Sequence, residues 1–123
     1  MSAKAFKLDN LTVILDRNRI QKMGFVADII GMDSLREQFE AFGWQTKEVN
    51  GHNVEEIVAA LEGEWEKDIP RMIVADTIKG KGVSFMENQP GWHWRMPNKK
   101  ELKVVKAELG ISEEELEKCK WHI

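Results

Sequence analysis

Lys7-Leu8-Asp9-Asn10-Leu11-Thr12-Val13-Ile14-Leu15-Asp16-Arg17-Asn18-Arg19-Ile20-Gln21 is the stretch on which the fold turns. Leu11 to Leu15 is a continuous apolar run, partly β-branched. Such a run suits a parallel strand covered on both faces. Asp16, Asn18 and Gln21 follow it, and open α/β sheets take their ligands at the carboxyl ends of their strands. The strand is expected over Leu11 to Asp16, and the polar cluster after it is the first place to look for a site.

Outward from that strand the chain alternates. Ser2 to Lys7 reads as a last helical turn, too short to stand alone. Arg17 to Met32, with Gly24 and Gly31, reads as a long loop, and long loops in compact domains usually serve a site. Asp33 is expected to cap a helix whose Leu35, Phe39 and Phe42 share one face, and Gly43 stops it. Trp44 to Val49 reads as a second strand. Asn50-Gly51-His52-Asn53 is a turn that delivers an N-cap at Asn53, and Val54, Ile57, Val58 and Leu61 then make an apolar helix face. Pro70 precedes a third strand, Met72 to Ile78. After Lys79-Gly80-Lys81-Gly82 comes a loop from Met86 to Pro97. Asn98 caps a helix over Lys99 to Glu108, ended by Gly110. Ser112 and Glu115 form a capping-box pattern for a last helix. The order β-α-β-α-β-α-α implies a parallel sheet with crossover helices in an α/β fold. Three strands make a thin sheet whose open edges call for neighbours.

Size and composition narrow the function classes. The 123 residues fit one domain, with 42% hydrophobic and 32% charged residues. A net charge of -3 gives no phosphate-neutralising excess and argues against a nucleic-acid binder. No apolar run approaches membrane-spanning length, and Met1 to Lys7 lacks the apolar centre of a signal peptide. Cys119 is the single cysteine, which excludes an internal disulfide and fits a reducing, cytoplasmic setting. Tyrosine is absent, whereas tryptophan occurs five times, at positions suited to core or interface packing.

The polar residues admit more than one reading. Asn18 can offer a side-chain carbonyl oxygen and Ile20 a main-chain one, as a hard cation requires. Asp16 and Asn18 can equally build an Asx-type turn. The glycines and lysines of Lys79-Gly80-Lys81-Gly82 invite an anion, but without P-loop spacing the segment reads first as a solvated turn. His93, between Trp92 and Trp94, is either an acid or hydrogen-bond donor toward an oxygen, or a packed residue. His52 is a turn residue and His122 a terminal one. Asp76 reads as a loop-ordering carboxylate. No Ser/His/Asp or Cys/His nucleophile can be assembled.

Several runs, in order, resemble the transketolase family, over the latter half of its diphosphate-binding domain. They are Leu8-Asp9-Asn10-Leu11 with Asp16-Arg17-Asn18-Arg19-Ile20-Gln21; Phe42-Gly43-Trp44 with Glu48-Val49-Asn50-Gly51-His52-Asn53; Thr77 to Glu87; and Trp92-His93 with Pro97. The likeness is to the type divided between two polypeptides. It implies a single partial domain over residues 1–123 with a thiamine diphosphate-binding fold. It implies thiamine diphosphate and Mg2+ as cofactors. Asn18 would ligate the metal through its side chain and Ile20 through its carbonyl. Ile78 would lie near the cofactor, and His93 would be the catalytic residue, facing diphosphate and substrate. In the family an activated thiamine attacks a ketose phosphate and carries a two-carbon unit to an aldose phosphate. The protein aligns and polarises that chemistry.

The family's Gly-Asp-Gly metal segment, its channel histidines and its second domain are not in this sequence. Trp94 stands where glycine is usual, and Arg17 replaces a frequent aromatic. The resemblance therefore implies a component that is silent alone and active only with complementary transketolase-like chains. Its alternative is a non-catalytic, partner-binding relic of such a domain, with the sheet edges and the Trp92–Trp94 loop as its interface.

Overall fold

The computed structural model describes residues 1–31, 34–112 and 114–115. The chain divides into two compact units, Met1–Thr77 and Ile78–Ile123.

The first unit is built on a parallel three-stranded sheet. Strands β1 (Thr12–Arg17), β4 (Gln45–Asn50) and β5 (Arg71–Asp76) lie in the order β1-β5-β4. Pro70 sets both pairings: its carbonyl accepts Gln45 N–H at 3.0 Å, and the next amide, Arg71 N–H, reaches the Leu11 carbonyl at 3.0 Å. The register then runs without a break to Arg17 opposite Asp76 and Asn50 opposite Asp76. The last strand in sequence is thus the middle one in space. It carries most of the core: Met72, Ile73, Val74 and Ala75 are buried, together with Pro70 and Ala60.

The alternating α/β order expected from the sequence is present, with three differences. First, β1 is not covered on both faces. It is an edge strand, and Ile14 is 55% exposed. Second, the expected third strand ends at Asp76 rather than Ile78, and the first runs one residue further, to Arg17. Third, the expected long loop is ordered locally. Ile20–Gln21 (β2) and Gly24–Phe25 (β3) form a small antiparallel hairpin, followed by the short helix α2 (Val26–Ile29). Gly24 holds φ +147°, a backbone that side chains rarely adopt, and this allows the tight return.

Helix α1 (Ser2–Ala5) is the expected single turn. Asp33 lies outside the described residues, and the cap seen on α3 (Leu35–Ala41) is Ser34, whose hydroxyl accepts Glu37 N–H. Phe39 packs edge-on against Trp44 with ring centres 5.3 Å apart, but Phe42 lies past the helix end and is exposed. Helix α4 (Val54–Glu62) starts at Asn53, which accepts from Glu55 and Glu56 N–H. Its apolar face is only partly covered, because Ala60 is buried while Val54, Val58 and Leu61 stay exposed. A three-stranded sheet offers too little area to cover the whole stripe.

In the second unit Gly80 holds φ +76°, and an added Cβ would meet the Met86 carbonyl oxygen at 2.6 Å. A 3-10 turn covers Pro90–His93. Helix α5 (Lys99–Leu109) has the expected limits within one residue: Asn98 and Glu101 form a capping box, and Gly110 ends it at φ +63°. The Ser112–Glu115 capping interactions are also formed. The expected helix beyond them, with Cys119, Trp121 and His122, lies outside the described residues. Among the described residues no helix is long and apolar enough to cross a membrane.

Candidate functional site

The carboxyl ends of the three parallel strands bring the polar residues together. Beside them opens a cleft of about 540 Å³. Leu15, Phe25, Val26 and Leu35 give it apolar walls, and Asp16, Asn18 and Ile20 line its polar side.

Asn18 does build an Asx turn: its Oδ1 accepts the Ile20 N–H at 2.9 Å. The turn leaves Asn18 Oδ1 a second lone pair. The Arg19 carbonyl accepts Val26 N–H at 2.9 Å, which puts Ile20 at the non-hydrogen-bonded position opposite Phe25. The N–H and C=O of Ile20 therefore both point away from β3. The N–H meets Asn18 Oδ1, and in an extended residue the C=O points to that same side. The hairpin geometry thus turns the Ile20 carbonyl to the side on which Asn18 lies. The carboxamide and carbonyl oxygens are neutral, hard donors of the kind that magnesium takes. Among the described residues no three His, Cys, Asp or Glu side chains come together as a cage. The pair fits a cation whose remaining ligands come from elsewhere.

Asp16 is an acceptor for the Thr77 hydroxyl. It ties the ends of β1 and β5 and is one wall of the cleft.

An ion network missed by the sequence reading crosses the same strand ends. Arg17 forms a two-bond fork on Asp76, Nε to Oδ1 at 2.7 Å and Nη2 to Oδ2 at 2.5 Å. Its Nη1 reaches Glu48 Oε1 on β4 at 2.9 Å. Arg19 Nη2 reaches Asp76 Oδ1 at 3.0 Å. The hydrogen bonds from Arg17 hold the Asp76 carboxyl below its usual range, with the charges of Arg17 and Arg19 adding and partial burial opposing. The same bonds to Asp76, and then to Glu48, push the Arg17 guanidinium up. A loop-ordering role for Asp76 was legible; its partners were not, because nothing local shows that residues 17 and 76 share a register.

The remaining candidates stand in the second unit. Ile78 opens it, and its carbonyl accepts Lys81 N–H at 3.1 Å. The Lys79-Gly80-Lys81-Gly82 turn has an internal anion: Gly82 N–H donates to Glu87 Oε1 at 3.0 Å, and Lys81 Nζ lies 3.8 Å from that oxygen. This favours the turn reading over a phosphate cradle. His93 ends the 3-10 turn and is exposed. Its neighbour Trp92 is the anchor, donating from Nε1 to the Phe85 carbonyl at 3.0 Å and lying under the Arg95 guanidinium at 4.2 Å. Trp94 faces outward, 67% exposed. The structure thus brings Asn18 and Ile20 together in one unit and carries Ile78 and His93 on the other.

A parallel sheet with oxygen donors and a cleft at its carboxyl ends defines a cofactor-binding α/β domain, and comparison with known proteins says which. Residues 1–119 match the model of "Transketolase, thiamine diphosphate binding domain". The chain belongs to the transketolase family. It is 38% identical over 109 residues to a subunit of the apulose-4-phosphate transketolase of Actinobacillus succinogenes, covering 89% of this chain and 40% of that protein. The subunit of the same name from Phocaeicola vulgatus is 35% identical over 119 residues, covering 96% and 42%. Human transketolase is 41% identical over 91 residues, covering 74% and 14%. The crystal structure of Campylobacter jejuni transketolase superposes with a TM-score of 0.79 at 32% identity, over 89% of this chain and 17% of that one. The chain thus spans about two fifths of the length of the split relatives that it matches.

Proposed function

We propose that this chain supplies part of the diphosphate-binding half of a thiamine-dependent ketol transferase, completed by complementary transketolase-like chains. The observation that carries the reading is the family match over residues 1–119, with Asn18 and Ile20 lining the cleft at the strand ends. Asn18 and Ile20 would hold Mg2+, and the oxygens they do not supply would come from the diphosphate, water and a carboxylate of another chain or segment. Ile78 would lie along the cofactor. His93, exposed at the end of its turn, would donate to the diphosphate or to a substrate oxygen. When bound, thiamine diphosphate supplies the nucleophilic carbon for two-carbon transfer between sugar phosphates. The relatives named as transketolase subunits support a division of the enzyme between chains.

The test is thermal unfolding of the purified chain with magnesium, with thiamine diphosphate, and with both. A ligand at 100 times its Kd stabilises by about 2.7 kcal/mol. The expected result is a shift that needs both components and disappears in Asn18→Ala, from a chain that turns over no sugar phosphate by itself. An equal shift without magnesium, or a shift that survives Asn18→Ala, removes Asn18 as a metal ligand. The absence of any shift would leave an incomplete half-site or the non-catalytic relic, and the same melt with a complementary chain added separates the two.

A further inference from the structure

Asn18 stands between two arginines that end on one carboxylate. Arg17 closes a fork on Asp76 at 2.7 and 2.5 Å, and its side chain is only 22% exposed. Arg19 reaches the same carboxylate from the other side of Asn18 at 3.0 Å. Arg19 also holds φ +60°, a left-handed backbone unusual for a side-chain-bearing residue. Two ties keep it there. Its guanidinium is on Asp76, and its carbonyl accepts Val26 N–H at 2.9 Å. The chain direction through Asn18 is thus set by residues whose side chains converge on the end of the central, best buried strand. That strand pairs on both sides and is the most buried in the unit. Glu48 takes the third arm of Arg17 at 2.9 Å, so all three strands take part.

We propose that Asp76 is a positioning residue for the oxygen pair of Asn18 and Ile20, acting through Arg17 and Arg19. Fixing both neighbours of Asn18 keeps its carboxamide on the Ile20 amide, and so keeps the Ile20 carbonyl turned to the same side. Preorganised donors bind a cation without first losing the freedom of a loose loop. The purpose assigned to the pair rests on the function proposed above; the geometry assigned to Asp76 can be tested without any ligand.

The experiment is amide hydrogen exchange by NMR on the full chain. Ile20 N–H, bonded to Asn18 Oδ1, and Val26 N–H, bonded to the Arg19 carbonyl, are the reporters. Gln45 and Arg71 N–H, at the opposite end of the sheet, are the controls. In Asp76→Asn the reporters are expected to exchange about tenfold faster while the controls keep their rates. Asp76→Glu, which retains the charge, is expected to restore most of the protection. Unchanged reporters overturn the proposal. So does equal acceleration of reporters and controls, which would mean a loss of overall stability only. Should Asp76→Asn fail to fold, Arg19→Gln cuts one exposed tie, and Val26 should again outpace the controls; no change there overturns the proposal too. A parallel melt of Asp76→Asn with magnesium and thiamine diphosphate should show a smaller shift than the parent chain. If the parent itself shows no shift, the isolated chain does not bind the two ligands, and the exchange result still decides Asp76.

Discussion

Strands β1 and β5 look alike in sequence and live in different surroundings. Thr12-Val13-Ile14-Leu15 and Met72-Ile73-Val74-Ala75 are both uncharged, mostly apolar runs with two β-branched residues or more. Ile73 is 0% exposed, whereas Ile14, its partner in the register, is 55% exposed. Paired residues share a face of the sheet, so whatever covers Ile73 does not reach Ile14. An apolar run reports what a strand is able to bury. Its place in the sheet order decides what it does bury.

The largest expected effect tests the buried side of that comparison. Ile73→Ala removes side-chain volume from a site with no access to water and should cost about 2–5 kcal/mol, read by urea unfolding. A loss below about 1 kcal/mol would mean that the middle strand is looser than its burial indicates.

A smaller loss is expected where the strand ends close on the turn after β4. Gly51 N–H donates to the Asp76 carbonyl at 2.7 Å. A Cβ at Gly51 would lie 2.5 Å from Thr77 Cγ2 and 3.0 Å from the Asp76 carbonyl oxygen. Gly51→Ala forces one of these apart, at about 1–3 kcal/mol by the same unfolding measurement. A neutral result would show that the turn and the end of β5 are free to separate.

These two sites also show what was legible from sequence. The α/β alternation, the Asn53 and Asn98 caps and the turn at Asn50–Asn53 all follow from local chemistry, and all are formed. The Asx turn at Asn18 was readable too, since it closes on Ile20 only two residues on. What could not be read depends on register and strand order. The central place of β5, the open face at Ile14 and the Arg17–Asp76 fork need pairings between residues far apart in the chain, which no local pattern encodes. The β2–β3 hairpin escaped for another reason. Lys22-Met23 is not a typical hairpin turn, and two-residue strands carry no period.

The ion network at the strand ends gives the third effect, and it appears only in acid. Asp76 titrates below its usual range in the folded chain, chiefly through Arg17. The unfolded chain therefore takes up a proton first as the pH falls, near the ordinary aspartate value of about 4. The stability that Asp76 contributes is fully present above that value. It is lost as the pH falls further, through the folded-state value. Urea midpoints should therefore drop more steeply below pH 4 in the parent chain than in Asp76→Asn, which has no such proton to take up. Parallel curves would mean that the fork adds nothing to folding. The size is held down by solvent, because the Asp76 side chain is 37% exposed.

The smallest effect belongs to the open face of β1. Ile14→Thr keeps the branched Cβ that suits a strand and exchanges an ethyl group for a hydroxyl on a surface that water already reaches. Little transfer energy is at stake, so the unfolding free energy should stay within about 0.5 kcal/mol of the parent. Its contrast with Ile73→Ala is the sharper measurement, since the two residues face each other across one register step. Nearly equal costs would require Ile14 to be buried in solution, and the edge would then be covered by something outside the described residues. A small cost at Ile14 beside a large one at Ile73 would leave position in the sheet, rather than composition, as the property that separates the two strands.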